Sequence, residues 1–373
     1  MIRVAECKSR RDMKKFVTFP LKLYKKCPYY VPSIYGDEMN ITNPKKNLSY
    51  GSSEAKCFLA YNNNVVVGRI CAIINHNANK LNNEKAVRFS RIDMIDDIEV
   101  TKALLKAVKD FGRNKGMEII QGPWGFDDAD REGMLTMGYE EYSSYACAYS
   151  YPYYVKHMEE LGYLKESEWV EYRVDKDSID PRYDKVTEML KNRGYRDLCD
   201  TMKASKIVKK YSKSFFECYN KSYAELDNFA PVDDRQIKAM IDTFAVLING
   251  RYFSVIVNKE DKVVAFCVGI PYIGGVLKKH NGHLISSVPG ILKQKRKPSK
   301  IELVLIGVDP EYRNTGVHAM GVSRFAKHFK EDAIEDVFFD PTLTTNAKML
   351  NSFAGFDRSL RCTRQTFRKG INE

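Results

Sequence analysis

The loop Arg313–His318 (RNTGVH) has the residues of an anion site. It follows an apolar stretch that ends at Val308 and precedes a predicted helix. Gly316 permits a close approach of the backbone to a ligand, and the first N–H groups of a helix have no intrahelical acceptor. Arg313 adds a permanently charged, forked donor. The pattern predicts a pyrophosphate site; the alternative is an ordinary strand-to-helix turn with a surface arginine.

A single carboxylate, Glu302, begins the same strand, eleven positions before Arg313. Regular alternation would place Glu302 on one face with Val304 and Ile306. Apolar neighbours exclude water and raise the pKa of a carboxyl group, which suits a general base that takes a proton from an amine. The alternative is a solvent-facing glutamate at a strand end.

A second cluster of chemically useful residues lies in Gly122–Leu135 (GPWGFDDADREGML). Aromatic rings beside several carboxylates can bind a cationic acceptor such as an amine. The candidate contacts are Trp124, Phe126, Asp127, Arg131 and Glu132. The alternative is an exposed acidic loop in which Arg131 pairs with its own neighbours.

Other kinds of site lack a sequence basis. The nine cysteines contain no C-x-x-C pair, and the histidines have no metal-ligand spacing, so we predict no metal and reduced thiols. Walker A, G-x-S-x-G and G-x-G-x-x-G motifs do not occur, which removes the support for kinase, hydrolase and dinucleotide-binding functions.

Charge and hydropathy restrict the partners. The chain has 60 Lys and Arg residues against 48 Asp and Glu, and its net charge of +12 favours anionic partners. We expect the basic run Lys293–Lys300 to be a solvated loop, with a nucleic-acid contact as the alternative. No apolar run approaches the roughly 18 residues of a membrane span, and the N-terminus has no signal-peptide core. We therefore predict a cytoplasmic protein without a membrane partner.

The elements that must position these residues occur twice along the chain. A predicted hairpin over Cys57–Ile73 recurs over Tyr252–Ile270. Each hairpin is followed by an amphipathic helix and by a strand that ends at a proline, Pro123 in the first half and Pro341 in the second. A hairpin that leads into a β-α-β unit predicts an α/β fold with a mixed sheet.

The spacing of the repeat predicts the domains. Corresponding residues are 197 positions apart at the hairpins, 217 at the proline-ended strands and 193 at the last helices. Compensating insertions at Gly274–Lys300 and Asp127–Tyr151 explain these separations. We predict two copies of one unit, residues 1–178 and 195–373, joined by a helical linker over 179–194.

The segment around Arg313–His318 resembles the acyl-CoA-binding segment of the GNAT superfamily of N-acetyltransferases, in which [Q/R]-x-x-G-x-[G/A] opens a helix. His318 departs from the small residue of that pattern. Asn346 and the Gly355–Phe356 pair resemble a later helix of the superfamily. Along nearly its whole length the chain is similar to a bacterial family of tandem GNAT-like proteins.

This resemblance implies two tandem GNAT-like domains and an acyl-CoA co-substrate, such as acetyl-CoA. The implied cofactor contacts are Gly307, Val308, Arg313, Asn314, Thr315, Gly316, Val317, His318 and Asn346. The spacing of Glu302 resembles that of the general-base glutamate of histone-type members. Asn351 occupies the position at which many members have a tyrosine that acts as the general acid.

Three functions follow as hypotheses. The first is acyl-CoA-dependent N-acyl transfer to a small-molecule or peptide amine. The second is aminoacyl transfer from tRNA, as in peptidoglycan-bridge enzymes, and the third is a non-catalytic protein that kept the fold and binds CoA or another ligand. The corresponding turn of the first copy, Asp96–Val100, has three carboxylates and no glycine, so we expect it to repel a pyrophosphate.

Overall fold

The predicted hairpins and helices form where the hydrophobic pattern places them. The computed structural model of this protein describes residues 1–126, 130–225, 231–244, 246–346, 350 and 356–373. Its first elements are β1 (Arg3–Glu6), α1 (Arg10–Leu23), α2 (Tyr35–Met39), β2 (Ser53–Asn62), β3 (Val65–Asn75), α3 (His76–Leu81), β4 (Ala86–Met94), α4 (Ile98–Arg113), β5 (Ile119–Gly122), β6 (Met134–Met137), α5 (Tyr153–Glu160) and β7 (Leu164–Val174).

The same order recurs in the second half of the chain. Its elements are α6 (Arg182–Asn192), β8 (Arg196–Asp197), α7 (Ala204–Tyr223), α8 (Asp234–Phe244), β9 (Phe253–Val257), β10 (Val263–Pro271), α9 (Gly274–Lys279), α10 (Leu284–Arg296), β11 (Lys300–Val308), α11 (Ala319–Glu331), β12 (Asp336–Phe339), β13 (Thr342–Leu343) and β14 (Arg358–Gly370).

The compact units of the molecule cut across the predicted halves 1–178 and 195–373. Unit 1 comprises Met1–Val170, Gly274–Ser287 and Arg361–Glu373, and unit 2 comprises Glu171–Ile273 and Val288–Leu360. Two segments of the second half therefore belong to unit 1. The compact units differ from the predicted halves because the order of strands in the sequence does not determine which sheet each strand joins.

Unit 1 is a mixed sheet with the strand order β1-β2-β3-β4-β5-β14-β7. The pair β4–β5 is parallel, whereas β1–β2, β2–β3, β3–β4 and β14–β5 are antiparallel. Helix α4 buries Val100, Leu104 and Val108 in one apolar cluster. Helix α1 buries Phe16 and Val17 in another cluster. The amphipathic pattern of both helices thus places one apolar stripe of each against the strands.

Unit 2 repeats this arrangement with the order β12-β11-β10-β9-β8, in which β11–β12 is the parallel pair. Phe325 and Phe329 of α11 pack with Leu303 of β11. The Phe215 ring of α7 lies 4.5 Å from the Phe266 ring of β10. Because adjacent strand residues point to opposite faces, α11 and α7 cover opposite faces of this sheet.

The last strand of the chain completes the sheet of unit 1. Strand β14 pairs antiparallel with β5, from Phe367 opposite Gly122 to Gly370 opposite Ile119. It also pairs with β6, a strand that forms within the predicted insertion Asp127–Tyr151. Residues Arg361–Glu373 therefore belong to unit 1, together with the first strands of the chain.

The segment Gly274–Lys300 forms two helices rather than a loop. Lys278 of α9 donates to the carbonyls of Cys27 and Pro28 at 2.7 and 2.6 Å, which ties this part of the segment to unit 1. The expected solvated loop over Lys293–Lys300 is wrong, because Lys293–Arg296 form the last turn of α10 and Lys300 begins β11. Basic residues in the last turn of a helix favour its dipole.

Within the described part of the chain, no helix combines the length and the apolar character that a membrane crossing requires.

Replacing Phe367 by Ala tests the placement of β14. Phe367 is buried in the apolar core of unit 1, so we expect a loss of about 3–5 kcal/mol and faster hydrogen exchange of the β5 amides. Leu360→Ala is the control, because Leu360 lies on the same strand and is 45% exposed. Faster exchange confined to β11 and β12 in the Phe367 variant would contradict the placement.

Candidate functional site

The candidate site of unit 2 lies where two parallel strands part. Strands β11 and β12 pair from Lys300 opposite Asp336 to Leu303 opposite Phe339. The Asp340 N–H then donates to the Leu303 carbonyl at 3.1 Å, and β11 continues to Val308 beyond the end of β12. The parting opens one side of β11 next to the predicted anion loop.

A bulge in β11 changes the face on which its side chains lie. Val268 of β10 pairs with Leu305 and Gly269 pairs with Leu303, so the register skips Val304. An inserted residue reverses the alternation that follows it. The expected common face of Glu302, Val304 and Ile306 is therefore wrong, since Ile306 packs with the Leu303 cluster. Glu302 instead shares its face with Leu305.

Glu302 is fully buried, with 0% of its surface exposed. It pairs with Ile270 on β10 and with Phe338 on β12. The solvent-facing alternative is therefore wrong. The carboxylate lies on the face of the sheet opposite Ile301 and Leu303, which contact the cluster of α11.

The loop before α11 has the backbone shape of an anion cradle. Asn314 and Gly316 have positive φ values of 68° and 81°, which glycine adopts without strain. The Thr315 hydroxyl donates to the Tyr312 carbonyl at 2.7 Å and closes the turn. Among the described residues, the N–H groups of Gly316 and His318 have no acceptor. Free N–H groups at the start of a helix suit an anionic ligand.

Helix α6 packs against the start of α11. Val317 is buried with Leu190 in one apolar cluster, and a Cβ atom on Gly316 would lie 3.2 Å from Val186. Burial lowers the pKa of His318, so its imidazole is neutral at pH 7. The His318 ring therefore adds no positive charge to the loop.

Arg313 is already engaged by unit 2. Its guanidinium donates to Glu225 Oε2 at 2.9 Å and to the Ser222 carbonyl at 3.2 Å. These bonds tie the loop to the end of α7, and the Glu225 carboxylate offsets the charge of the arginine. The backbone N–H groups of the loop, rather than Arg313, are therefore its main candidates for binding an anion.

The end of β11 has no room for a side chain at Gly307. A Cβ atom there would lie 2.3 Å from the Phe266 ring, which is too close for any other residue. The Ile306 carbonyl accepts the Tyr223 hydroxyl at 3.1 Å. Gly307 and Val308 lead directly into the loop, and their contact with a cofactor stays a prediction.

The predicted later helix of the site is described only in part. The half-buried Asn346 accepts the Leu350 N–H at its carbonyl, at 3.1 Å. Asn351, Phe353 and Gly355 lie outside the described residues.

The corresponding helix start of unit 1 is capped by the chain itself. Asp97 Oδ1 accepts the Glu99 N–H at 2.9 Å, and the Asp97 carbonyl accepts the Val100 N–H at 3.1 Å. Side-chain capping of this kind occupies the donors that an anion would need. The central strands of unit 1 also separate, because the pairing of β4 with β5 ends at Arg88 opposite Gln121. The described residues of unit 1 contain no loop comparable to Arg313–His318.

A buried network of charges, which the sequence analysis missed, lies on the α1 side of unit 1. Arg69 Nε donates to Asp93 Oδ2 at 2.7 Å. Arg91 donates to both carboxylate oxygens of Asp130 at 2.9 and 2.7 Å and to Glu38 Oε1 at 3.0 Å. These residues are distant in sequence. The only indication in the sequence was that charged residues interrupt otherwise apolar strands.

The ionisation of this network follows from burial and pairing. Burial raises the pKa of Asp93, although Arg69 opposes the change. Burial also opposes the ionisation of Asp130, but its bonds from Arg91 hold the pKa of Asp130 below its usual value. Asp130 is therefore ionised in the folded protein at neutral pH.

The acidic segment of unit 1 is tied into this core. Trp124 donates from Nε1 to Glu166 at 3.0 Å, and Phe126 is only 3% exposed. Arg131 Nε donates to the Tyr145 carbonyl at 3.0 Å, and Glu132 is half-buried. Asp127 lies outside the described residues. The described part of the segment is not an exposed acidic loop.

Solved structures share this architecture. A tandem GNAT protein from the clavulanic acid biosynthesis pathway, without AcCoA, is 9% identical, with a TM-score of 0.58 over 100% of this chain and 99% of the other. A GCN5-related N-acetyltransferase from Sphaerobacter thermophilus is 10% identical, with a TM-score of 0.51 over 99% of this chain and 96% of the other. These likenesses confirm the predicted fold class, an α/β fold of two tandem GNAT-like units.

Two curated proteins are similar in sequence. Protein YghO of Escherichia coli strain K12 is 23% identical over 316 residues, which are 82% of this chain and 78% of that protein. A bacterial ceramide synthase of Caulobacter vibrioides is 22% identical over 291 residues, which are 76% of this chain and 73% of that protein. No protein-family model matches the sequence.

Asp130→Asn tests the charge network of unit 1. The change leaves Arg91, whose side chain is only 11% exposed, without one carboxylate, and we expect a loss of about 3–5 kcal/mol at pH 7. Because the pKa of Asp130 is lowered on folding, its contribution is present above the unfolded pKa, near 4, and is lost as the pH falls through the lower folded value. Urea unfolding between pH 7 and pH 2 measures both effects.

Asp110→Asn is the matched control, since Asp110 pairs with Lys106 on the surface with 45% of its side chain exposed. We expect it to cost less than about 1 kcal/mol. Equal losses in the two variants would show that the buried pair does not stabilise unit 1.

Proposed function

We propose, from the tandem GNAT fold that this chain has, that it is an acyl-CoA-dependent N-acyltransferase whose cofactor-binding part is unit 2. One observation carries the proposal: a helix start with free N–H groups and a buried glutamate lie on the two ends of one strand, β11, beside the point where β12 leaves it. The ceramide synthase relative supports transfer to nitrogen, because a ceramide is an N-acyl amide.

The loop Asn314–His318 would bind the pyrophosphate of an acyl-CoA through backbone N–H groups. The positive end of the α11 dipole adds to this attraction. The pantetheine arm would lie beside Gly307 and Val308, where β11 continues after its pairing with β12 has ended. An acyl-CoA supplies an activated thioester, whose carbonyl carbon an amine attacks with release of the thiol.

Glu302 would accept the proton of the attacking amine. The amine nitrogen forms the new C–N bond as the C–S bond breaks, and the nitrogen's proton passes to the carboxylate directly or through one water. Burial of Glu302 among Ile270 and Phe338 removes it from bulk water.

Unit 1 would not bind acyl-CoA. Its helix start is occupied by Asp97, and the carboxylates of Asp96 and Glu99 would repel a pyrophosphate. The buried network of Arg69, Asp93 and Arg91 stabilises this unit instead. We propose the cytoplasm as the compartment, which fits the free state of all nine cysteines.

Gly316→Val tests the cofactor site. A side chain at a φ of 81° is strained and would fill the space of the phosphate. We expect acetyl-CoA at 100 times its dissociation constant to stabilise the parent protein by about 2.7 kcal/mol and the variant not at all. The measurement is thermal unfolding with and without acetyl-CoA.

Gly250→Val is the control, because a Cβ atom on Gly250 meets no atom within 4 Å. Circular dichroism establishes that both variants are folded. Unchanged acetyl-CoA stabilisation of a folded Gly316→Val protein would refute this cofactor site.

Glu302→Gln tests the base. The amide keeps the size of the side chain but removes its basicity, so we expect kcat to fall on the order of 10²- to 10⁴-fold while acetyl-CoA affinity stays within about twofold. The measurement is a release assay for the CoA thiol across the pH range, with an acceptor found by an amine screen.

Glu311→Gln is the matched control, since the Glu311 side chain is 68% exposed on the neighbouring loop. We expect parent rates for it. If Glu302→Gln also retains the parent rate at every pH, the base lies elsewhere.

A further inference from the structure

An apolar cavity lies in unit 2 between the helices α7 and α8 and the strands β9, β10 and β11. Its cavity volume is about 60 Å³, which is several times the roughly 10–15 Å³ that one water molecule needs. Its walls are formed by Ile207, Val208, Tyr211, Ser212, Phe215, Phe216, Met240, Ile241, Ile248, Phe253, Val268 and Leu305.

None of the residues that line this cavity is charged. The hydroxyl group of Tyr211 is already bonded to Asp261 Oδ2 at 2.8 Å. A polar ligand group would lose its bonds to water and gain few in return, which is costly. A hydrocarbon chain, in contrast, is stabilised by every methylene group that leaves water.

The cavity lies on the face of the sheet that holds Glu302. Val268 and Leu305, which line the cavity, pair with each other, and Ile270 pairs with Glu302. Val268 and Ile270 are two residues apart on β10, so the wall of the cavity begins about 7 Å from the level of Glu302. The bulge at Val304 is what brings Leu305 to the face of Glu302.

We propose that the acceptor is a primary amine with a long alkyl chain, and that this chain occupies the cavity. The inference rests on the proposed function: a base at Glu302 requires the amine nitrogen within hydrogen-bond reach of its carboxylate. The remainder of that molecule then lies along the same face, where the walls are apolar. Polyamines and aminoglycosides, which carry several charges, do not fit this lining.

The experiment compares amines of increasing length. With acetyl-CoA held constant, we expect kcat/KM to rise by about 15-fold for each two added methylene groups from butylamine through hexylamine and octylamine to decylamine. Val208→Trp and Ile241→Trp fill the cavity from its two helices and should abolish the increase.

Lys209→Trp and Lys238→Trp are the matched controls. Both residues are exposed and lie on the same helices, α7 and α8, but do not line the cavity. Both should keep the dependence on chain length. If the cavity-filling and control variants behave alike, the cavity does not hold the amine.

A second series varies the length of the acyl-CoA instead of the amine. Acyl-CoAs from acetyl-CoA to decanoyl-CoA are tested with butylamine held constant, and we expect a much weaker dependence on length. A steep dependence that Val208→Trp abolishes would assign the cavity to the acyl chain and overturn the proposal.

Direct binding separates this inference from the proposed function. Calorimetric titration with decylamine, without any acyl-CoA, should show binding that Val208→Trp weakens at least tenfold and Lys209→Trp does not. Such binding without transfer from any acyl-CoA supports the alkylamine site and refutes the transferase. Decylamine that does not bind, while short amines are acetylated, overturns the alkylamine site alone.

Discussion

The fold of each unit depends on a parallel pair of central strands whose pairing ends part-way along their length. In unit 2, β11 and β12 separate after Leu303 and Phe339, and in unit 1, β4 and β5 separate after Arg88 and Gln121. A strand that loses its neighbour exposes backbone groups that need other partners. The location and chemistry of each unit's centre follow from what fills this gap.

The two units satisfy that constraint in different ways. In unit 1, charged side chains fill the region beside the central strands, and Arg91 lies at the bulge with a positive φ of 49°. In unit 2, the bulge at Val304 has apolar neighbours, and the only carboxylate that β11 carries is the buried Glu302. One architecture thus provides a network of paired charges in unit 1 and a central strand with one buried carboxylate, Glu302, in unit 2.

The hydrophobic period predicted much of the fold. The hairpins β2–β3 and β9–β10, the helices α4 and α11 and the proline-ended strands all form, because each is determined by residues close together in the sequence. The glycine at position 316 and its loop were predictable for the same reason. The side-chain partner of Arg313 was not, because Glu225 is 88 positions away.

The repeated elements and the loop Arg313–His318 were predictable from residues close together in the chain, because they depend on local geometry and on hydrophobic period. The sheet that β14 joins, the face on which Glu302 lies and the apolar cavity depend instead on pairing and packing between distant segments. The residues of one strand do not show which other strand it pairs with. The bulge at Val304 arises from pairing with β10, so no pattern within β11 alone shows that its alternation reverses there.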